Sequence, residues 1–124
     1  MLLADVVVNP VDATLQDAEV AFHCVRRDAK PGMIRQVLAY NAQLMLVRHN
    51  FTKGWVGARH KHPHHQMVYV VKGHIVFEAE GKSWELRAGD SVVVGGDLDH
   101  QASALEDSEV LDIFTPYRED YAKS

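Results

Sequence analysis

Cysteine is nearly absent: Cys24 is the single thiol in 124 residues. One thiol cannot close an internal disulfide, so the chain must be held by its core, and a reducing cytoplasm is its expected setting. Long apolar runs are missing too. None approaches the roughly 18 residues of a membrane span. Asp5 interrupts the N-terminal run Met1-Leu2-Leu3-Ala4, and no basic residue precedes it, so neither a signal peptide nor a membrane anchor is expected. Clustered positive charge is scarce. The net charge is −4 and Arg26-Arg27 is the only adjacent basic pair. Phosphate neutralisation needs a concentrated basic face, so nucleic acid is excluded as a partner. Repeats and low-complexity tracts are absent, and an apolar share of 47% excludes disorder over most of the length. A chain this long suits one domain with a real core.

Histidine is what the chain has in excess. There are 8, and four fall within six positions: His60, His62, His64 and His65. Imidazole is the commonest metal ligand and the usual proton carrier near neutral pH.

From residue 34 onward, short β-type runs alternate with glycine or aspartate breaks. Residues 34–39, 44–51, 56–60, 66–71, 75–80, 83–87, 91–94, 101–104 and 110–114 read as strands. The breaks include Lys53-Gly54, Lys72-Gly73, Ala88-Gly89-Asp90 and Gly95-Gly96-Asp97. No segment here keeps a 3.6-residue apolar period, so the expected fold is an all-β sandwich or barrel. Two short helical pieces are expected at 14–19 and 117–123. Residues 1–30 read as an N-terminal arm with a strand over 18–25, and residues 31–124 as the barrel with its tail, one domain overall.

In His60-Lys61-His62 the imidazoles are two apart, so on a strand they share a face while Lys61 points away. Pro63 then ends regular pairing. Gln66 opens the next apolar run with a polar side chain where a core residue is expected. His100 heads a later strand. Three imidazoles and an amide oxygen at strand ends make an N3O site for one divalent ion, with Ni, Zn, Mn, Fe and Co all suited. A neutral amide in place of a carboxylate leaves the ion's full charge for Lewis-acid work. His64 and His65 read as loop residues or as donors supporting the ligands. His23, His49 and His74 have no partners in sequence and read as structural.

Near the C-terminus, Asp112 and Phe114 share a strand face, and with Val110 inward Asp112 points into the barrel. A buried carboxylate is rare unless paired or functional. Pro116 turns the chain, and Arg118 then folds back over the barrel mouth, either as a carboxylate clamp or as an ion pair with Asp112 that pins the tail.

The stretch Gly54-x5-His60-x-His62-x3-Gln66-x6-Gly73 resembles the first motif of the cupin superfamily, with Gln66 where most members have glutamate. Gly89-x5-Gly95-x-Asp97-x2-His100 resembles the second, with Gly95, Asp97 and Ala104 replacing its usual proline, glycine and asparagine. The resemblance implies a double-stranded β-helix, the jelly-roll barrel. Adding Asp112-x-Phe114-Thr115-Pro116-x-Arg118-x-Asp120, the set is similar to the pectin-degradation cupins of the KdgF type. Those enzymes convert 4,5-unsaturated monouronates, released from pectin or alginate, to their linear keto form. By that resemblance His60, His62, Gln66 and His100 hold the metal, Asp112 moves the proton, Arg118 fixes the carboxylate and Phe114 packs on the sugar. Arg48 and Arg35 are further local cations for a small sugar acid. The resemblance also implies a homodimer. Other uses of such a site are a ferrous dioxygenase, a cyclase or isomerase of polyhydroxylated compounds, and a sugar-binding module without catalysis.

Overall fold

A computed structural model describes Leu2–Leu3, Val6–Val7 and residues 26–123. Among these lie eleven strands: β1 (Leu2–Leu3), β2 (Val6–Val7), β3 (Arg26–Lys30), β4 (Met33–Tyr40), β5 (Met45–Phe51), β6 (His65–Lys72), β7 (His74–Ala79), β8 (Lys82–Arg87), β9 (Ser91–Val94), β10 (His100–Ala104) and β11 (Ser108–Thr115). One short helix, α1 (Glu119–Ala122), closes the chain. No described helix is long and apolar enough to cross a membrane.

The strands form two antiparallel sheets. The larger runs β1-β2-β4-β5-β11-β6-β9, with β3 beside β4; the smaller runs β10-β7-β8. Alternation explains the layering. In β5 and β11 every second residue is buried, so each strand sends one row of side chains inward. Met33, Phe51, Val68, Val70, Val94 and Val110 of the larger sheet meet Ile75, Phe77, Ala79, Leu86 and Ala104 of the smaller in one apolar cluster. A second cluster, Val37, Met45, Val47 and Phe114, is covered by Tyr40, Tyr117 and Tyr121. Burying each such side chain contributes about 1.5–3 kcal/mol.

Between the two clusters the inward rows turn polar. Arg35 on β4, His49 on β5, Asp112 on β11 and Gln66 on β6 stand on four strands that are neighbours in the sheet. This belt positions the site.

Three expectations change. Residues 56–60 are not a strand. The segment crosses the edge of β10 by two isolated bridges, Val56 to Ser103 and His60 to His100. Gly54, Gly57 and His60 donate to Ala104, Ala102 and His100, and Trp55 and His60 accept from Ala104 and His100, so the chain meets β10 at spaced points and not along a continuous ladder. β3 stands where no separate strand is expected, because Arg-Arg-Asp-Ala-Lys lacks an apolar alternation. Its backbone ladder with β4 and the Arg26–Asp28 ion pair at 2.8 Å hold it. The C-terminal helix shrinks to four residues. The pieces read at 14–19 and 18–25, with His23 and Cys24, lie outside the described residues.

At Gly73 the backbone takes φ +99°, and a Cβ there would fall 2.1 Å from Ser108 Oγ and 2.5 Å from the Asp107 carbonyl. Only glycine fits so tight a turn between β6 and β7.

Candidate metal centre

His60 and His62 lie on the segment leading into β6, and His100 is the first residue of β10. The bridge between His60 and His100, with a hydrogen bond in each direction at 3.0 and 2.9 Å, brings the loop's histidine against that of β10. The turn after β9 clamps the loop carrying His62: Asp97 N–H donates to the His62 carbonyl at 2.7 Å, and Gly96 N–H donates to His65 Nδ1 at 3.3 Å. One ring nitrogen from each of His60, His62 and His100 lies within 4.8 Å of the others.

Backbone carbonyls fix which nitrogen that is. Nδ1–H of His60 donates to the Ala58 carbonyl at 2.9 Å, that of His62 to His64 at 3.0 Å and that of His100 to Leu98 at 2.8 Å. Each neutral ring therefore presents an Nε2 lone pair to the common point. Burial, chiefly, pushes His62 and His100 below the ordinary 6.5, with Arg118 adding to the effect on His62 and the neighbouring His60 to that on His100. Neutral imidazole is the form that binds metal.

Gln66 completes the set, and its orientation is dictated. Its Nε2 donates to Asp112 Oδ1 at 2.9 Å, which turns Oε1 toward His62 Nε2, 3.1 Å away. With Nδ1 of His62 carrying the proton, two lone pairs face each other. That arrangement is unfavourable unless a cation lies between them, so the donor set fits a divalent ion held by His60, His62, His100 and Gln66. The same contact explains the amide. A glutamate here would set a second carboxylate against Asp112.

Asp112 is 3% exposed and accepts a second bond, from His49 Nδ1 at 2.7 Å. His49 Nε2 in turn accepts from Arg35 Nε at 3.1 Å. The polar belt is thus one hydrogen-bonded chain, Arg35–His49–Asp112–Gln66, running from the cavity wall to the amide whose oxygen faces His62. A cavity of about 660 Å³ opens beside it, lined by His60, His100, Gln66, Asp112, Arg35 and Arg118 among others. Its size falls within the range for small-molecule sites.

The tail residues sit differently from expectation. Arg118 makes no pair with Asp112. It donates from Nε and Nη2 to Asp120 at 3.2 and 2.8 Å and from Nη1 to the Tyr121 hydroxyl at 2.8 Å. Burial works upward on Asp120, but the bonds and charge of Arg118 prevail and hold its carboxyl below the usual range. Burial pushes the Tyr121 phenol up, so it stays protonated. Phe114 is 1% exposed and does not line the cavity. Its ring meets His62 edge-on at 5.9 Å and Tyr121 at 5.6 Å, so it packs behind His62 instead of facing the cavity, where the resemblance implied a sugar contact. Arg48 faces outward to Glu109 at 3.3 Å, away from the cavity. His49, read as structural, belongs to the site. The signal was available: it occupies the inward row Met45, Val47, His49, Phe51, by the alternation that placed Asp112. His74 pairs with Glu85 at 2.7 Å. His64 supports His62 through its carbonyl and ring, and neither it nor His65 lines the cavity.

The cupin domain family matches residues 47–114. The chain belongs to the cupin family. This cupin is 35% identical over 92 residues to the pectin degradation protein KdgF of Dickeya dadantii, covering 73% of this chain and 84% of that one. Among solved structures, KdgF from a Halomonas species is similar at 42% identity and a TM-score of 0.72, over 75% of this chain and 88% of the other. An RmlC-like cupin from Shewanella frigidimarina is similar at 38% identity and 0.74, over 77% and 87%. These neighbours bear out the double-stranded β-helix.

Proposed function

We propose that this cupin is a metal-dependent enzyme of pectin breakdown that converts a 4,5-unsaturated monouronate to its linear keto form. The observation that carries the reading is the join between two halves of the site. A buried carboxylate, Asp112, is hydrogen-bonded directly to the metal-facing amide of Gln66, and both line one cavity. The likeness to KdgF, a pectin degradation protein in Dickeya dadantii, supports the substrate class.

The reaction is an isomerisation. The hemiacetal hydroxyl at C1 loses its proton, the bond from C1 to the ring oxygen breaks, a ketone forms at C5, and C4 gains a proton. No oxidant is needed. A divalent ion held by His60, His62, His100 and Gln66 supplies Lewis acidity toward substrate oxygens. Asp112 moves the proton, its carboxylate oriented by Gln66 on one oxygen and His49 on the other. Arg35 and Arg118 give the wall positive charge for an anionic substrate, which a net charge of −4 does not provide over the molecule as a whole.

The test follows the 4,5-double-bond absorbance of lyase-generated unsaturated monouronate. Asp112→Asn is expected to lower kcat about 10²–10⁴-fold while Tm shows a folded protein. Full turnover by Asp112→Asn sinks the assignment of the proton carrier.

A further inference from the structure

Four cations line the cavity: Lys30, Arg35, Lys61 and Arg118. They are not equivalent. Lys30 and Lys61 are exposed, and among the described residues no hydrogen bond or ion pair fixes their ammonium groups. Arg118 is 9% exposed, and the edge of its guanidinium suited to a planar carboxylate is already closed by both oxygens of Asp120. Its Nη1 is spent on the Tyr121 hydroxyl. An incoming carboxylate would have to displace one supplied by the chain itself.

Arg35 is fixed and open at once. Its Nε donates to His49, and its guanidinium carbon stands 3.8 Å from the centre of the Tyr121 ring. Those two contacts set its plane. Among the described residues, neither of its Nη groups has a hydrogen-bond partner, and the side chain lines the cavity. Two parallel N–H groups on a pre-set plane are what a carboxylate binds best. The guanidinium carbon of Arg118 lies 3.8 Å from the same ring centre, so Arg118 and Asp120 hold Tyr121, and Tyr121 holds Arg35.

We propose that Arg35, and not Arg118, binds the substrate's carboxylate, with Arg118 acting as the positioning residue that fixes Tyr121 beneath it. The inference deepens the uronate reading and rests on it for the substrate class. The order of the belt then gives the pose. With the carboxylate on Arg35, C5, which bears it, and the adjacent C4 lie along His49 and Asp112, and the hemiacetal end lies toward Gln66 and the imidazoles.

The test uses metal-loaded protein and two probes that differ only in the acid group, D-galacturonate and D-galactose, titrated by calorimetry. Wild type is expected to prefer galacturonate by about tenfold to a hundredfold, the range for a hydrogen bond to a charged partner. Arg35→Gln removes that preference and leaves galactose affinity unchanged; Arg35→Lys restores part of it. Arg118→Gln keeps most of the preference. The assignment is overturned if Arg118→Gln abolishes the preference while Arg35→Gln retains it, or if Arg35→Gln weakens both sugars equally. Turnover separates this from the parent reading. A wild type that prefers galacturonate through Arg35 yet leaves the unsaturated uronate unconverted contradicts ketonisation and supports the carboxylate site. A wild type that ketonises, with KM unchanged in Arg35→Gln, overturns the Arg35 assignment alone.

Discussion

Replacing Gln66 by glutamate, the residue most cupins carry there, puts the central contact of the site under direct test. In the native chain the amide nitrogen of Gln66 lies 2.9 Å from Asp112 Oδ1 and donates to it. The substitution exchanges that nitrogen for a carboxylate oxygen. Two unit charges at this separation repel by about 6 kcal/mol at an effective dielectric of 20, equivalent to roughly four pH units. The metal-free variant therefore folds with one proton more than its unfolded chain, whether the proton rests on the introduced carboxyl, on Asp112 or on His49. A group that binds protons more tightly when folded makes stability fall as pH rises, here from roughly pH 4.3 to about pH 8. The slope is about 1.4 kcal/mol per unit. Urea denaturation of chelator-treated protein should show Gln66→Glu losing about 3 kcal/mol against wild type between pH 5 and pH 7.5. Saturating metal should flatten the difference, because a dipositive ion beside the introduced carboxylate offsets the repulsion. Parallel pH–stability curves for the two metal-free proteins would refute the contact between Gln66 and Asp112.

Other consequences can be checked separately. His62→Ala removes the one imidazole in contact with Gln66 Oε1, and isothermal titration should show metal affinity down by at least a hundredfold. His62 and His100 sit below their ordinary 6.5, chiefly through burial, so the metal-free fold binds fewer protons there than the unfolded chain. Its stability should be full above pH 6.5 and decline as pH falls below it, read by denaturant midpoints across pH 7.5 to 5. At Gly96 a Cβ would meet the Pro63 carbonyl at 2.5 Å, so Gly96→Ala should push the clamping turn off the metal loop. About a tenfold loss of metal affinity with little change in far-UV circular dichroism is expected. Gly73→Ala should cost about 3 kcal/mol in urea midpoints, since both its positive φ and the Ser108 contact oppose a side chain.

The meeting of His60, His62 and His100 beside Gln66 was legible because its signals are local: a two-residue repeat, a fixed step to Gln66, and one later histidine that the second motif locates. Asp112 was legible from alternation. His49 and Arg35 obey the same alternation, yet nothing in sequence pairs a histidine at 49 with an aspartate at 112. Their meeting depends on β5 and β11 being neighbours, which topology alone decides. Arg118 shows the opposite error. Its nearness to Asp112 in sequence suggested a partner, but the turn after Pro116 hands it to Asp120, two residues on. Residues 56–60 misled because Val56 and His60 each form one bridge with β10, while between them only Gly57 bonds to it and no continuous ladder builds.

Metal-dependent ketonisation is tested most directly by one assay. Lyase-generated unsaturated monouronate is mixed with the protein as isolated, with chelator-treated protein, and with protein reloaded with a divalent metal, and loss of the 4,5-double-bond absorbance is followed against the spontaneous rate. Rapid loss is predicted with the first, near-spontaneous decay with the second and recovery with the third. Spontaneous decay in all three, with metal shown to be bound, would contradict the proposed reaction.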